Sequence, residues 1–319
     1  MSHLFDRILV AIDDSEPGKT AVTLGARLAR EHNGELILCH SVNWLPLVVE
    51  LESSGAVIDP EPTLESMSQH GESLLVQAEL SAQAQGVRAR CHLTDGEPAK
   101  AILMLAGKLD CRLIVMGTNA RGGLERLFIG STTEAVLRGS TIPVLTVHPG
   151  TKLTPEPQRC FERIVVGTDA SETARAAVEA VIELAAADAC HVLFCSVVDI
   201  DSVVGSRGYY DTAIHAGLYD DAQRAVGDAV KTARGNDVGA EGRIADGSAS
   251  RGLVALAKRE NADLIVTGSH GRGGVRRMLL GSVAETVVRS SPVPVLVIRS
   301  AARAKASGAR AKRQAAAVR

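Results

Sequence analysis

Along the second half of the chain, short apolar runs alternate with stretches of helical spacing. Residues 163–168 are a β-rich run, and 172–187 are rich in alanine and glutamate with apolar positions spaced as on a helix. HVLFCSVV at 191–198 reads as a second strand, 211–234 as a helix, 240–245 as a weak strand and 249–260 as a helix. LIVT at 264–267, a short helix over 282–290 and PVLVI at 294–298 complete the series. The runs show little apolar/polar alternation, as strands buried on both faces do. Five such strands separated by helices predict an α/β fold, a doubly wound parallel sheet. Segments 43–70 and 199–212 are less regular and read as long surface loops leading into the second helix of each unit.

The same series is written twice. RILVAIDDS at 7–15 recurs as RIVVGTDAS at 163–171, and LIVMGTNARGGLERLFIGS at 113–131 recurs as LIVTGSHGRGGVRRMLLGS at 264–282. IPVLTV at 142–147 and VPVLVI at 293–298 close the two copies. The early copies are offset by 156 residues and the late ones by 151. That period is too long for a solenoid and predicts two homologous domains, 1–149 and 161–300. A Pro-rich polar linker over 150–160 joins them, and a basic disordered tail, 301–319, follows.

Composition narrows the function. The net charge of −2 becomes −8 once the six cations of residues 301–319 are set aside. An acidic body with 3% aromatic residues argues against nucleic-acid binding. The first residues lack a signal-peptide apolar region, and no apolar run approaches the ~20 residues of a membrane helix. The expectation is a cytoplasmic protein with no membrane partner. Six cysteines in a chain of 319 residues do not form a disulfide framework. Cys39, Cys111, Cys190 and Cys195 lie in or beside apolar stretches and read as small hydrophobes. The pairs Cys39-His40, Cys91-His92 and Cys190-His191 do not make metal sites, because strand neighbours point to opposite faces.

In open parallel sheets, ligands bind beyond the carboxyl ends of the strands, where the winding reverses. Two strand ends stand out in each unit: the first ends at Asp13 or Asp169 and the fourth at Gly117 or Gly268. The loop from Gly268 to Ser282 has glycines that permit close backbone approach, so its N–H groups can cradle an anion. Gly281-Ser282 opens a helix with a capping-box pattern, S282-V-A-E285, and a helix N-terminus favours phosphate. The alternatives are that Ser282 and the two aspartates simply cap their helices. P17-G18-K19-T20 resembles the end of a Walker loop but lacks the required glycine at 13, and no G-x-S-x-G elbow occurs. His270 has no sequence-near carboxylate to orient it as a base and is expected to touch phosphate. Arg272 could attract phosphate, whereas Arg276 and Arg277 read as solvated.

The pattern G-x2-G-x9-G-[ST], after an LIVxG strand and before PVLV, resembles the ATP-binding signature of the universal stress protein family. The D-x-S at the first strand of each unit and the late Asp246-Gly247 fit the same family. The resemblance spans residues 4–148 and 160–299. It implies a Rossmann-like five-stranded parallel sheet, strand order 3-2-1-4-5, in each domain, with ATP and Mg2+ as ligands. In the second domain it assigns Asp169 and the backbone at Val197 to the adenine and ribose side. Gly268, His270, Gly271, Gly281, Ser282 and Val283 are assigned to the phosphates. In the first domain, Asp13, Ser41, Gly117, Gly130, Ser131 and Thr132 match, but Ala120 replaces the second glycine and Asn119 the histidine. A Cβ at 120 would crowd phosphate or forbid the needed φ, so a weakened site is expected there. The resemblance also implies that the final strands, 143–147 and 294–298, pair within the chain as an internal pseudo-dimer, and it allows a homodimer. Three functions compete: an ATP-binding stress-response regulator, a slow ATPase or self-phosphorylating protein with Ser282 as acceptor, and a nucleotide-independent interaction scaffold. The absence of a Walker lysine or a water-activating carboxylate favours binding over catalysis.

Overall fold

A computed structural model describes residues 3–44, 61–118, 129–151, 153, 159–199, 212–271 and 280–299. The chain divides into two compact units. One comprises His3–Gly139 with Leu145–Cys160, and the other runs from Phe161 onward with Ser140–Val144.

The strands of the first repeat are β1 (Arg7–Ala11), β2 (Glu35–Val42), β3 (Ala89–Asp95), β4 (Leu113–Gly117) and β5 (Val144–Val147), ordered β3-β2-β1-β4-β5. Those of the second are β6 (Arg163–Gly167), β7 (His191–Val198), β8 (Ala240–Asp246), β9 (Leu264–Gly268) and β10 (Val295–Ile298), ordered β8-β7-β6-β9-β10. Both match the order 3-2-1-4-5. The register sets Ile8 beside Leu36 and Leu113, and Ile164 beside Val192 and Leu264, all in parallel. The first and fourth strands are therefore neighbours, and their carboxyl ends open side by side in each repeat.

Consecutive residues are buried along the central strands, with Ile8, Leu9 and Val10 fully inaccessible and Ile164, Val165 and Val166 nearly so. Burial of both alternating sets requires cover on both faces. In the first repeat that cover is α1 (Glu16–Glu31), α2 (Glu61–Ala84), α3 (Pro98–Lys108) and α4 (Ser131–Gly139). In the second it is α5 (Glu172–Asp188), α6 (Thr212–Arg234), α7 (Ala249–Arg259) and α8 (Ser282–Ser290). Strands β3 and β8 end their order and are half exposed, which is why 240–245 carries a weak strand pattern.

Helix α2 corrects the expectation of a loop over 43–70, because the helix already begins at Glu61. Pro62 lies in its first turn, where a missing N–H costs nothing and the fixed φ suits a helix start. Residues 45–60, most of 199–212, Asn119, Ala120, Arg272, Arg276, Arg277 and the tail 301–319 lie outside the described residues.

The C-terminal cap of α5 is Ala189, which sits in the left-handed region at φ 50° and ψ 43°. The equivalent position after α1 is Asn33, at φ 55°, a residue type that tolerates this conformation. Ala189→Gly is expected to stabilise the second repeat by ~0.5–1 kcal/mol, the relief at the cap exceeding the added entropy of the unfolded chain. A rise in the urea midpoint of that repeat checks it.

Candidate functional site

The carboxyl ends of β6, β7 and β9 open onto a cavity of about 390 Å³. Its lining includes Asp169, Val197, Gly268, His270, Gly271, Gly281, Ser282 and Val283, all eight residues expected from sequence to act together. Cys195, Ala249 and Leu253 add an apolar wall that the loop motif does not reveal. Gly167 makes room for that wall: a Cβ there would lie 2.8 Å from Leu253 Cδ1.

The capping-box expectation is corrected at α8. Gly281 is the N-cap, with φ −66° and ψ 146°, and among the described residues no side-chain cap bond is made there. Ser282 is the first helical residue and is exposed, and the Glu285 amide donates to the Gly281 carbonyl at 2.9 Å. The Gly281 N–H is itself committed, donating to Ser269 O at 2.8 Å. The first-turn amides of Ser282, Val283 and Ala284 have no partner inside the helix, and all three residues line the cavity. These donors, with the positive end of the helix dipole, make this end of the cavity receptive to an anion.

The glycines also have packing roles that the loop motif does not show. A Cβ on Gly268 would meet Thr173 Oγ1 at 2.6 Å, Thr173 C at 2.8 Å and Ala174 N at 2.9 Å. Gly268 thus lets the first turn of α5 pack against the end of β9 while it also lines the cavity. Gly271 is exposed and does not adopt a positive φ, and its missing Cβ leaves space for Asp169 Oδ2, 2.8 Å away. The aspartates are not helix caps either. Ser171 caps α5, its hydroxyl accepting from the Ala174 amide at 3.2 Å, and Ser15 caps α1, accepting from Gly18 N at 3.1 Å.

The two repeats place their aspartates differently. Asp13 Oδ1 accepts from the Ser15 amide at 3.2 Å and from the Ser15 hydroxyl at 2.5 Å. It lies over the first turn of α1, where a Cβ on Gly18 would be 2.2 Å away. The second repeat has Ala174 at that position, so its methyl occupies the space and the Asp169 carboxylate extends toward Gly271 instead. Asp169 Oδ1 still accepts from Ser171 N at 2.9 Å.

The other residues expected in the first repeat lie at the same end of its sheet. Gly117 ends β4, and a Cβ there would meet Gly18 N and Pro17 C at 2.9 Å. Gly130 N donates to Thr118 O at 3.3 Å, and Ser131 and Thr132 open α4. Ser41 is on β2 with its hydroxyl committed to Gly96 O at 3.1 Å. Thr133, which sequence reading passed over, donates to Gly117 O at 2.8 Å, where the second repeat has Ala284.

Within the second site, His270 Nδ1 is 3.0 Å from Ser269 Oγ, and its carbonyl accepts from Ser171 Oγ at 3.3 Å and from Thr173 Oγ1. Burial pushes the Cys195 thiol up to about 11, so at neutral pH it is a protonated, apolar part of the wall. Cys39 and Cys111 are also pushed up to about 11 by burial. Cys39, Cys111, Cys190 and Cys195 are buried as expected, whereas Cys91 is exposed. A thiol-alkylating reagent at pH 7.5 is therefore expected to label Cys91 first and to spare those four in the folded protein. Peptide mapping by mass spectrometry checks the order.

The family model described as the universal stress protein family matches residues 4–148 and again 161–299. A universal stress protein of Mycobacterium tuberculosis is 28% identical over 309 residues, covering 92% of this chain and 96% of the relative. One from Bacillus subtilis is 33% identical over 149 residues, which is 46% of this chain and the whole of the relative. Among solved structures, a universal stress protein from Archaeoglobus fulgidus aligns with a TM-score of 0.68 at 22% identity, covering 94% of this chain and 98% of that one. With the family matched twice, the same strand order in both repeats and relatives alignable along most of its length, this chain belongs to the universal stress protein family and carries two of its domains in tandem.

Proposed function

We propose that the second domain binds ATP with Mg2+ and that the protein acts as a nucleotide-responsive regulator in a stress response. One observation carries this reading: the uncapped start of α8, the Asp169 carboxylate and an apolar wall share one cavity of about 390 Å³. Cys195, Val197, Ala249 and Leu253 suit the flat apolar face of adenine. Asp169 can accept hydrogen bonds from ribose hydroxyls. The amides of Ser282, Val283 and Ala284 suit the phosphates. Among the described residues no group of three or more His, Cys, Asp or Glu is placed to hold a metal, so Mg2+ would be carried chiefly by phosphate oxygens and water. Among the described residues, too, no helix is long and apolar enough to cross a membrane.

The first domain is the weaker site in this reading. Its Asp13 is folded back on Ser15, its Ser41 hydroxyl is committed, and Ala120 stands where the second domain has Gly271. Binding is favoured over turnover because the glycine loop from Gly268 to Ser282 carries no Walker lysine.

A ligand that binds only the folded state stabilises it by RT ln(1 + [L]/Kd), ~2.7 kcal/mol at a hundredfold excess over Kd. Millimolar Mg·ATP is therefore expected to raise the melting temperature of the second domain by several degrees. An unchanged melt at that concentration would sink the nucleotide reading and leave the interaction scaffold.

A further inference from the structure

We infer that Thr173, together with Ser171, is a positioning residue for the phosphate side of the second site, an inference that rests on the ATP reading above. Neither residue is in the glycine loop, and Thr173 does not line the cavity. Both reach the loop from the first turn of α5. Thr173 Oγ1 donates to the His270 carbonyl, and Ser171 Oγ approaches the same oxygen at 3.3 Å. A carbonyl oxygen has two lone pairs and can accept both. Thr173 is brought this close because Gly268 has no Cβ, which would otherwise press on Thr173 Oγ1 at 2.6 Å.

The consequence follows from peptide geometry. The bond between His270 and Gly271 is planar and trans, so the His270 C=O and the Gly271 N–H point in opposite directions. With the carbonyl tied to α5, the Gly271 N–H is turned away from α5, on a residue that lines the same cavity as Ser282, Val283 and Ala284 of α8. The clamp therefore preorients one backbone donor for an anionic oxygen, beside the donors that α8 already offers. Without it the peptide can rotate, and the ordering has to be supplied by the ligand on binding.

The first repeat lacks the threonine hydroxyl of this device. Its equivalent of Thr173 is Pro17, and the Ser15 hydroxyl donates to Asp13 Oδ1. The asymmetry between the two sites thus extends beyond Ala120 into the first helix of each domain.

Thr173→Val in the full chain keeps the branched shape and removes only the hydroxyl. Calorimetric titration with Mg·ATP is expected to show an affinity about tenfold below wild type, the size of one lost orienting hydrogen bond. Thr173→Ser, which keeps the donor, should restore affinity to within about twofold of wild type on the same scale. Adenosine, which has no phosphate, should compete with a fluorescent adenine nucleotide at the same concentration in wild type and Thr173→Val once normalised to the probe's own affinity. The ligand-free melting temperatures should agree. An ATP affinity in Thr173→Val equal to wild type overturns the inference, as does a matched loss for adenosine and ATP, which would mark general damage to the fold. Wild-type protein that binds no ATP overturns the parent reading and this inference together, whereas an unchanged Thr173→Val overturns the inference alone.

Discussion

Gly271→Val is expected to lower the affinity of the second domain for Mg·ATP at least ~100-fold while leaving the stability of the ligand-free protein within ~0.5 kcal/mol. The first carbon of the new side chain would stand 2.8 Å from Asp169 Oδ2, and two further methyls would extend from it. Asp169 must then move, and it can, because only a side chain is displaced. The loss falls on binding because both residues line the cavity. Two or more hydrogen bonds to a charged ligand, at roughly 1.5 kcal/mol each or more, account for a factor of that size. Stability is spared because Gly271 is exposed and its backbone is in a region open to any residue. Titration calorimetry and a melt of the same sample check the two halves of the prediction.

Gly268→Val should behave in the opposite way. Here the added carbon meets backbone, Thr173 C at 2.8 Å and Ala174 N at 2.9 Å, and a helix start cannot yield as a carboxylate can. Destabilisation of the second domain by ~3 kcal/mol or more is expected from overpacking at the junction of α5 and β9. Urea unfolding followed by circular dichroism should show one transition moved to lower denaturant and the other unmoved. Nucleotide binding would be lost as well, but along with the fold, so the two glycine variants separate loss of binding from loss of packing. Gly117→Val in the first repeat should repeat the destabilisation, since its added carbon would meet Pro17 C and Gly18 N at 2.9 Å.

Those two glycines also show where sequence reading succeeded and where it stopped. The repeat and the five strands per domain were legible because central strands are continuous apolar runs and because two copies of each motif check one another, whereas the strand order came only from the resemblance to the universal stress protein family. The start of α2 was not legible, since Glu61 to His70 is polar and carries little apolar period; its Pro62 was the local signal. The grouping of Asp169 with the loop from Gly268 followed once that resemblance supplied the strand order. The packing role of Gly268 was not legible: motif spacing does not show that its missing Cβ admits the first turn of α5. Nor could it show that Gly281, not Ser282, caps α8, because both are good caps and the choice is made by the bond from Gly281 N to Ser269 O. Thr173 was missed for a similar reason. It sits in an ordinary first helical turn, and only the tertiary approach of β9 gives its hydroxyl a partner. The one available signal was the contrast with Pro17 at the matching position of the first repeat.

The central claim is one working nucleotide site per chain, in the second domain. It is tested most directly by the number of adenine nucleotides bound per chain at a free nucleotide concentration about tenfold above the wild-type Kd, measured in wild type and in Gly271→Val. The account predicts about one in wild type and a value near zero in the variant. No bound nucleotide in wild type, or a wild-type stoichiometry undiminished in Gly271→Val, would contradict it.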